Sequence, residues 1–271
     1  MTNLDRTFTA LLREATFTKE VLGAGATQIR TANYAHQGIY AQAFAGLSVG
    51  LERIGKLCLM LDHYIEYNGR FPDFNYLKNS IGHKLKLLQT RASEIAHQRK
   101  VKFHFLAELN HPLHFAILQI LHAYADGDRY SNINILIGAK QQDDPIAAWF
   151  THVDSYIFEN LITQKRKEQI IKNASTLQRA IGPAAVFHTA ETGEQISNIA
   201  EASFRTGMYE AIAPHRQFFV LQIIRYWVEP LCELGDKAQA LDSQEIPFFS
   251  EIFCGFYNSD QYLKSRKTWI F

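Results

Sequence analysis

Between His83 and His104 the chain carries six basic residues, Lys84, Lys86, Arg91, Arg99, Lys100 and Lys102, against one acid, Glu94. In a chain whose formal net charge is only +1, that concentration makes a face that could hold phosphate oxygens. Arg91 and His97 lie within it, and this pair of residue types could do more than bind. A histidine can take or return the proton of a reacting hydroxyl, while an arginine stabilises the charge that builds around a phosphorus centre. Arg30 with His36 and Arg99 with His104 are similarly spaced, and the number of Arg and His residues supplies such pairs readily. The plainer account of the segment is a solvated helix face, its cations paired with Asp126, Asp128, Asp143 or Asp144.

The elements that must position these residues are helices. Tyr40, Phe44, Leu47, Leu51, Ile54, Cys58, Leu61 and Ile65 alternate steps of four and three and so fall on one stripe. Within this apolar helix stand Glu52, Arg53 and Lys56. Unpaired charge on a buried helix is costly, so these three are expected to be structural and to find polar partners on a neighbouring helix. Gly46 and Gly50, one turn apart, predict the close approach of another helix, since each otherwise costs about 1 kcal/mol of helix propensity. Asn68-Gly69 ends that helix. The spacing then predicts helices over His83 to Phe105, Leu113 to Tyr124, Asp143 to Ile181, Gln195 to Ala213 and Arg216 to Leu234, with a kink at Pro230. Strand patterning is nearly absent; the best stretch, Ile133 to Ile137, is short and isolated. The aromatic-rich end of the chain is less regular and reads as a frayed tail that carries Lys264 and Lys267. The fold class is all-α, divided near Ala139 into residues 1–140 and a helical extension over 141–271 packed on them.

The stretch Ala41 to Lys56, with Glu52 and Lys56 four apart, followed by Gly82-His83-Lys84-Leu85-Lys86-Leu87-Leu88 and later by Arg129-Tyr130, resembles the HEPN superfamily over about residues 31–137. The resemblance implies a multi-helix HEPN-like bundle, often dimeric, that binds RNA or a nucleotide and in some members cleaves RNA without a metal. It also implies a bacterial defence or toxin–antitoxin setting, with an antitoxin or other defence protein as partner. Carried onto this chain, the catalytic candidates are Arg91, His97, His83 and Arg129. The RNA-binding candidates are Lys84, Lys86, Arg99, Lys100 and Lys102, and Tyr130 joins Glu52, Arg53 and Lys56 as structural polar residues. Catalytic members usually place Asn, Asp or His directly after the arginine of their Arg–His pair. Ala92 follows Arg91 here. That departure supports the alternative, a non-catalytic helical binding or scaffold protein that has lost the site.

Other chemistries fit less well. Glu94-x-x-His97 and Glu108-x-x-His111 have the spacing of di-iron ligand pairs, but such sites draw their pairs from different helices. Residues seven apart, such as His97 and His104, stand about 10 Å apart along a helix, so no metal or other cofactor is expected. Gly23-Ala24-Gly25 lacks the Gly-Lys-Ser of a phosphate loop, and no serine sits in a nucleophile elbow. The most hydrophobic window, Ala43 to Leu61, is interrupted by three charges, which argues against a membrane span. Cys58, Cys232 and Cys254 show no metal spacing and fit a reducing cytoplasm, and residues 1–16 show no apolar export signal.

Overall fold

Asp5 starts the first helix by accepting hydrogen bonds from the Thr7 and Phe8 amides at 2.6 and 3.3 Å, which satisfies two of the donors a helix start leaves free. In the computed structural model, which describes residues 5–76, 78, 84–139, 143–182, 184–242 and 244–271, this helix is α1 (Arg6–Thr31). A short 3-10 turn leads to α2 (Gly38–Glu66), and the two helices lie antiparallel, as the pairs Gln28–Gln42 and Glu14–Arg53 fix. Their closeness rests on glycine. A Cβ on Gly50 would stand 2.4 Å from Leu22 Cγ, and one on Gly46 would stand 3.2 Å from the Val21 carbonyl oxygen. The stripe predicted on α2 is buried from Tyr40 through Leu61.

After the short α3 (Phe74–Tyr76) come α4 (Leu85–Gln98) and α5 (Pro112–Asp126). His111 caps α5 through its ring nitrogen, and Pro112 takes the first helical position, where a missing N–H costs nothing. A 3-10 turn over Asp128–Tyr130 precedes α6 (Ser131–Leu136), so the one stretch that alternated like a strand is helical. The long helix expected over 143–181 is broken. It runs as α7 (Pro145–Trp149), a π turn over Phe150–Asp154, α8 (Ser155–Leu161) and α9 (Gln164–Ile181). Thr163 makes the second break, turning extended and accepting the Arg166 amide; a short hydroxyl side chain competes with the helix in this way.

An antiparallel hairpin of β1 (Ala185–Thr189) and β2 (Gln195–Asn198) supplies the only strands among the described residues. The fold class is all-α. The following helices, expected to be two, are one: α10 (Ile199–Gln239) continues without a break past Pro214 and Pro230. Each interior proline costs roughly 3 kcal/mol of helix stability, which the surrounding core offsets, since every residue from Arg216 to Arg225 is buried. Short α11 (Phe249–Ile252) and α12 (Asp260–Ser265) follow. The segment after α12 folds back on α1, with Trp269 fully buried and its amide donating to Thr27 Oγ1 at 2.8 Å. A tail expected to fray is instead docked. Residues 1–140 and 141–271 share one hydrophobic core, reaching from Leu11 to Trp269. Among the described residues no helix is long and apolar enough to cross a membrane.

Candidate functional site

A groove of about 1420 Å³ lies between α4 and α5, closed on one side by α7 and the π turn. Its lining combines apolar surface from Leu85, Leu118 and Phe115 with Lys84, Lys86, Glu94 and His97 from α4 and its start. His122 and Asp126 from α5, Asp128, Asp143 and the exposed His152 complete its polar groups. His122 is held neutral: burial first, and then the nearby Lys86 charge, push its imidazole down to about 4. Lys86 therefore places its charge on this groove beside a neutral ring.

Of the sequence candidates, the structure brings Lys84, Lys86 and His97 to the groove. Arg91 is half-buried and is not among the lining residues. Six residues along an α-helix turn it by about 600°, which leaves Arg91 and His97 roughly 120° apart around α4. The two side chains do not share a face. Arg129 is exposed, its guanidinium 5.0 Å over the ring of the half-exposed Tyr130, and neither lines the groove. His83 lies outside the described residues.

Arg99, Lys100 and Lys102 leave the groove for a different neighbourhood. Arg99 Nε donates to Asp62 at 2.7 Å and its Nη2 to Glu66 at 2.7 Å, so α2 neutralises it. Those bonds hold its guanidinium above its usual range, the Asp62 bond most. The backbone amides of Lys102 and His104 donate to Glu233 and Glu229 of α10 at 3.0 and 2.6 Å. This segment ties α4 to the core, while the Lys100 and Lys102 side chains remain exposed. Arg99→Ala is accordingly expected to lower stability by about 1 kcal/mol, the scale of a partly exposed ion pair, and to leave any RNA affinity unchanged. Urea unfolding and a binding titration on the same variant check both halves. A large affinity loss without destabilisation would return Arg99 to the binding face.

The three charges inside α2 are half-buried. Arg53 reaches Glu14 of α1 at 2.5 Å and lies 4.4 Å over the Phe17 ring, while Lys56 donates to Glu52 within α2 at 2.6 Å. The cross-helix partner expected for these residues is thus seen for Arg53, whereas Lys56 pairs along its own helix.

The most deeply buried polar cluster has a different membership. Asp154, at the end of the π turn, accepts the Tyr40 hydroxyl at 3.1 Å and the Trp149 indole N–H at 3.0 Å, and Arg216 Nη2 stands 3.2 Å from it. Arg216 also donates to the Ile29 and Ala32 carbonyls at 3.1 and 3.0 Å, closing the end of α1. Beside it, the buried Glu191 accepts from the Tyr209 hydroxyl and from Arg205 Nη1. Burial pushes the Asp154 carboxyl up to about 6, although the Arg216 charge works against that rise. Asp154, Arg216 and Tyr40 are fully buried, and the cluster joins α1, α2, the π turn and α10. A signal for it stands in the sequence: Arg216, Arg225 and Glu229 interrupt an apolar run, as Glu52 and Arg53 do in α2.

Among the described residues no three His, Cys, Asp or Glu side chains converge as metal ligands would. Compared with protein-family models, curated proteins and solved structures, the chain matches none.

Proposed function

We propose that the protein is a HEPN-like binder of RNA or a nucleotide, that the α4–α5 groove is its binding site, and that it does not cleave through an Arg91–His97 pair. One observation carries the reading. The groove combines a large apolar wall with two lysines, Lys84 and Lys86, that have no ion-pair partner among the described residues, beside a neutral imidazole, and so offers phosphate contacts next to surface on which a base can lie. The divergence of Arg91 from His97 supports binding over catalysis, because a phosphoryl centre has to meet both groups at once.

The same groove carries Glu94, Asp126, Asp128 and Asp143, which repel a continuous phosphate track. Contact is therefore confined to one or two phosphates near Lys84 and Lys86. Two such contacts on single-stranded RNA give a log–log salt slope of about −1.4, far shallower than that of a protein coating a long strand. Fluorescence anisotropy with a short single-stranded RNA and with a labelled nucleotide, each over a salt series, tests this. Lys84→Glu with Lys86→Glu is expected to reduce affinity by about tenfold or more and to flatten the salt slope. No binding at low salt would sink the proposal, and RNA cleavage abolished by either Arg91→Ala or His97→Ala would overturn its non-catalytic half.

A further inference from the structure

We infer that α6 is a docking site for a cationic amphipathic segment of a partner protein. Ile133, Ile135, Leu136 and Ile137 are 55, 59, 84 and 70 % exposed, and they surround the helix instead of forming one face. Ser131, Asn132 and Asn134 are interspersed among them, but four large aliphatic side chains this exposed within five residues of chain make apolar surface of the kind that marks an interaction site. Within its own chain α6 rests on the Asp128–Tyr130 turn that leads into it, and its aliphatic side chains stay uncovered.

Charge selects the occupant. Asp126 and Asp128 precede α6 directly and Asp143 follows it; burial first, and then the Asp143 and Asp126 charges, raise the Asp128 carboxyl. None of the three is ion-paired among the described residues, while nearby Arg129 is engaged with the Tyr130 ring. An aliphatic knob flanked by mutually repelling carboxylates recruits cations and disfavours the alternatives. RNA phosphates and anionic lipid headgroups are repelled. A two-fold contact with a second copy of the chain would be isologous and would bring both sets of carboxylates to one interface. A helix with an apolar stripe flanked by Lys or Arg satisfies both the aliphatic surface and the carboxylates.

The test uses the full chain and two labelled synthetic amphipathic peptides, one of leucine and lysine and one of leucine and glutamate. The lysine peptide is expected to bind with an affinity that falls with salt, and the glutamate peptide to bind at least tenfold more weakly. Leu136→Asp with Ile137→Ser should lower lysine-peptide affinity by roughly tenfold or more. Asp126→Asn with Asp143→Asn should remove most of the salt dependence, while Phe187→Ser, at an exposed position on β1, should change neither. Both sets of variants alter exposed side chains, so unchanged circular dichroism is expected to accompany the loss. Three results would overturn the inference: equal binding of the two peptides, lysine-peptide binding that survives in both sets of variants, and light scattering that shows a dimer which Leu136→Asp converts to a monomer. The last would make α6 a contact between copies of the chain.

Discussion

Asp154→Ala is expected to cost the protein about 3–5 kcal/mol of stability. The substitution removes the acceptor for Tyr40 and Trp149 and leaves Arg216, fully buried, with no carboxylate beside it. Replacing Arg216 by methionine and Asp154 by leucine together should recover much of that loss, because an apolar pair of similar volume escapes the desolvation both ions suffer. The pair also titrates in a defined direction. Its carboxyl ordinarily loses its proton near 3.8 and in the folded protein near 6, so the folded state holds that proton more tightly. The stabilisation from this group is complete below about pH 3.8 and is lost as the pH rises through about 6. The stability advantage of the wild type over Asp154→Asn should therefore shrink between about pH 4 and about pH 6. Urea midpoints across that range measure it, and a midpoint unmoved by Asp154→Ala would show that the cluster is solvated.

Trp269→Ala is expected to cost a similar amount, about 3–5 kcal/mol. Its ring stacks on Phe256 at 5.4 Å, its backbone N–H donates to Thr27 Oγ1, and Gln217 donates to both the Ala26 and Lys267 carbonyls at 2.9 Å, tying the segment to α1. Gly23 makes the approach possible, since a Cβ there would lie 2.0 Å from the Trp269 carbonyl oxygen. Gly23→Ala should reproduce part of the loss by pushing the segment outward, while Gly138→Ala, at a site open on all sides but strained by its φ of +63°, should leave the Trp269 environment alone. The difference in tryptophan fluorescence between each protein and its Trp269→Phe counterpart during unfolding isolates the Trp269 signal from those of the buried Trp149 and Trp227. A blue-shifted Trp269 signal that persists in Gly23→Ala would argue against the close contact.

The docking of Trp269 shows where sequence reading stopped. The stripe on α2 was legible because its seven-residue rhythm is local, and the need for a close helix was legible in Gly46 and Gly50. The end of the chain looked irregular because its partners lie far back, on α1. The length of α10 was hidden for the opposite reason. Pro214 and Pro230 are strong local stop signals; Pro230 is buried in the core, while Pro214 is exposed and the helix is held on its far side by the buried run from Arg216. In the groove, Lys84, Lys86 and His97 could be picked out together because they share one segment, whereas His122 and His152 arrive from other helices. Arg99 looked like a free cation, and nothing in its neighbouring sequence reveals Asp62 and Glu66 waiting on α2.

The contacts that close α10 and the terminal segment onto α1 also set how the chain must reach its native state. Arg216 meets the Ile29 carbonyl across 187 residues, and Trp269 meets Thr27 across 242. Helices themselves form in about a microsecond or less, but each of these unions has to wait for a loop of most of the chain to close, and that entropy is lost before any contact repays it. Such long-range unions raise the contact order above that of a bundle of neighbouring helices, and refolding is expected to be slower than helix formation alone would set.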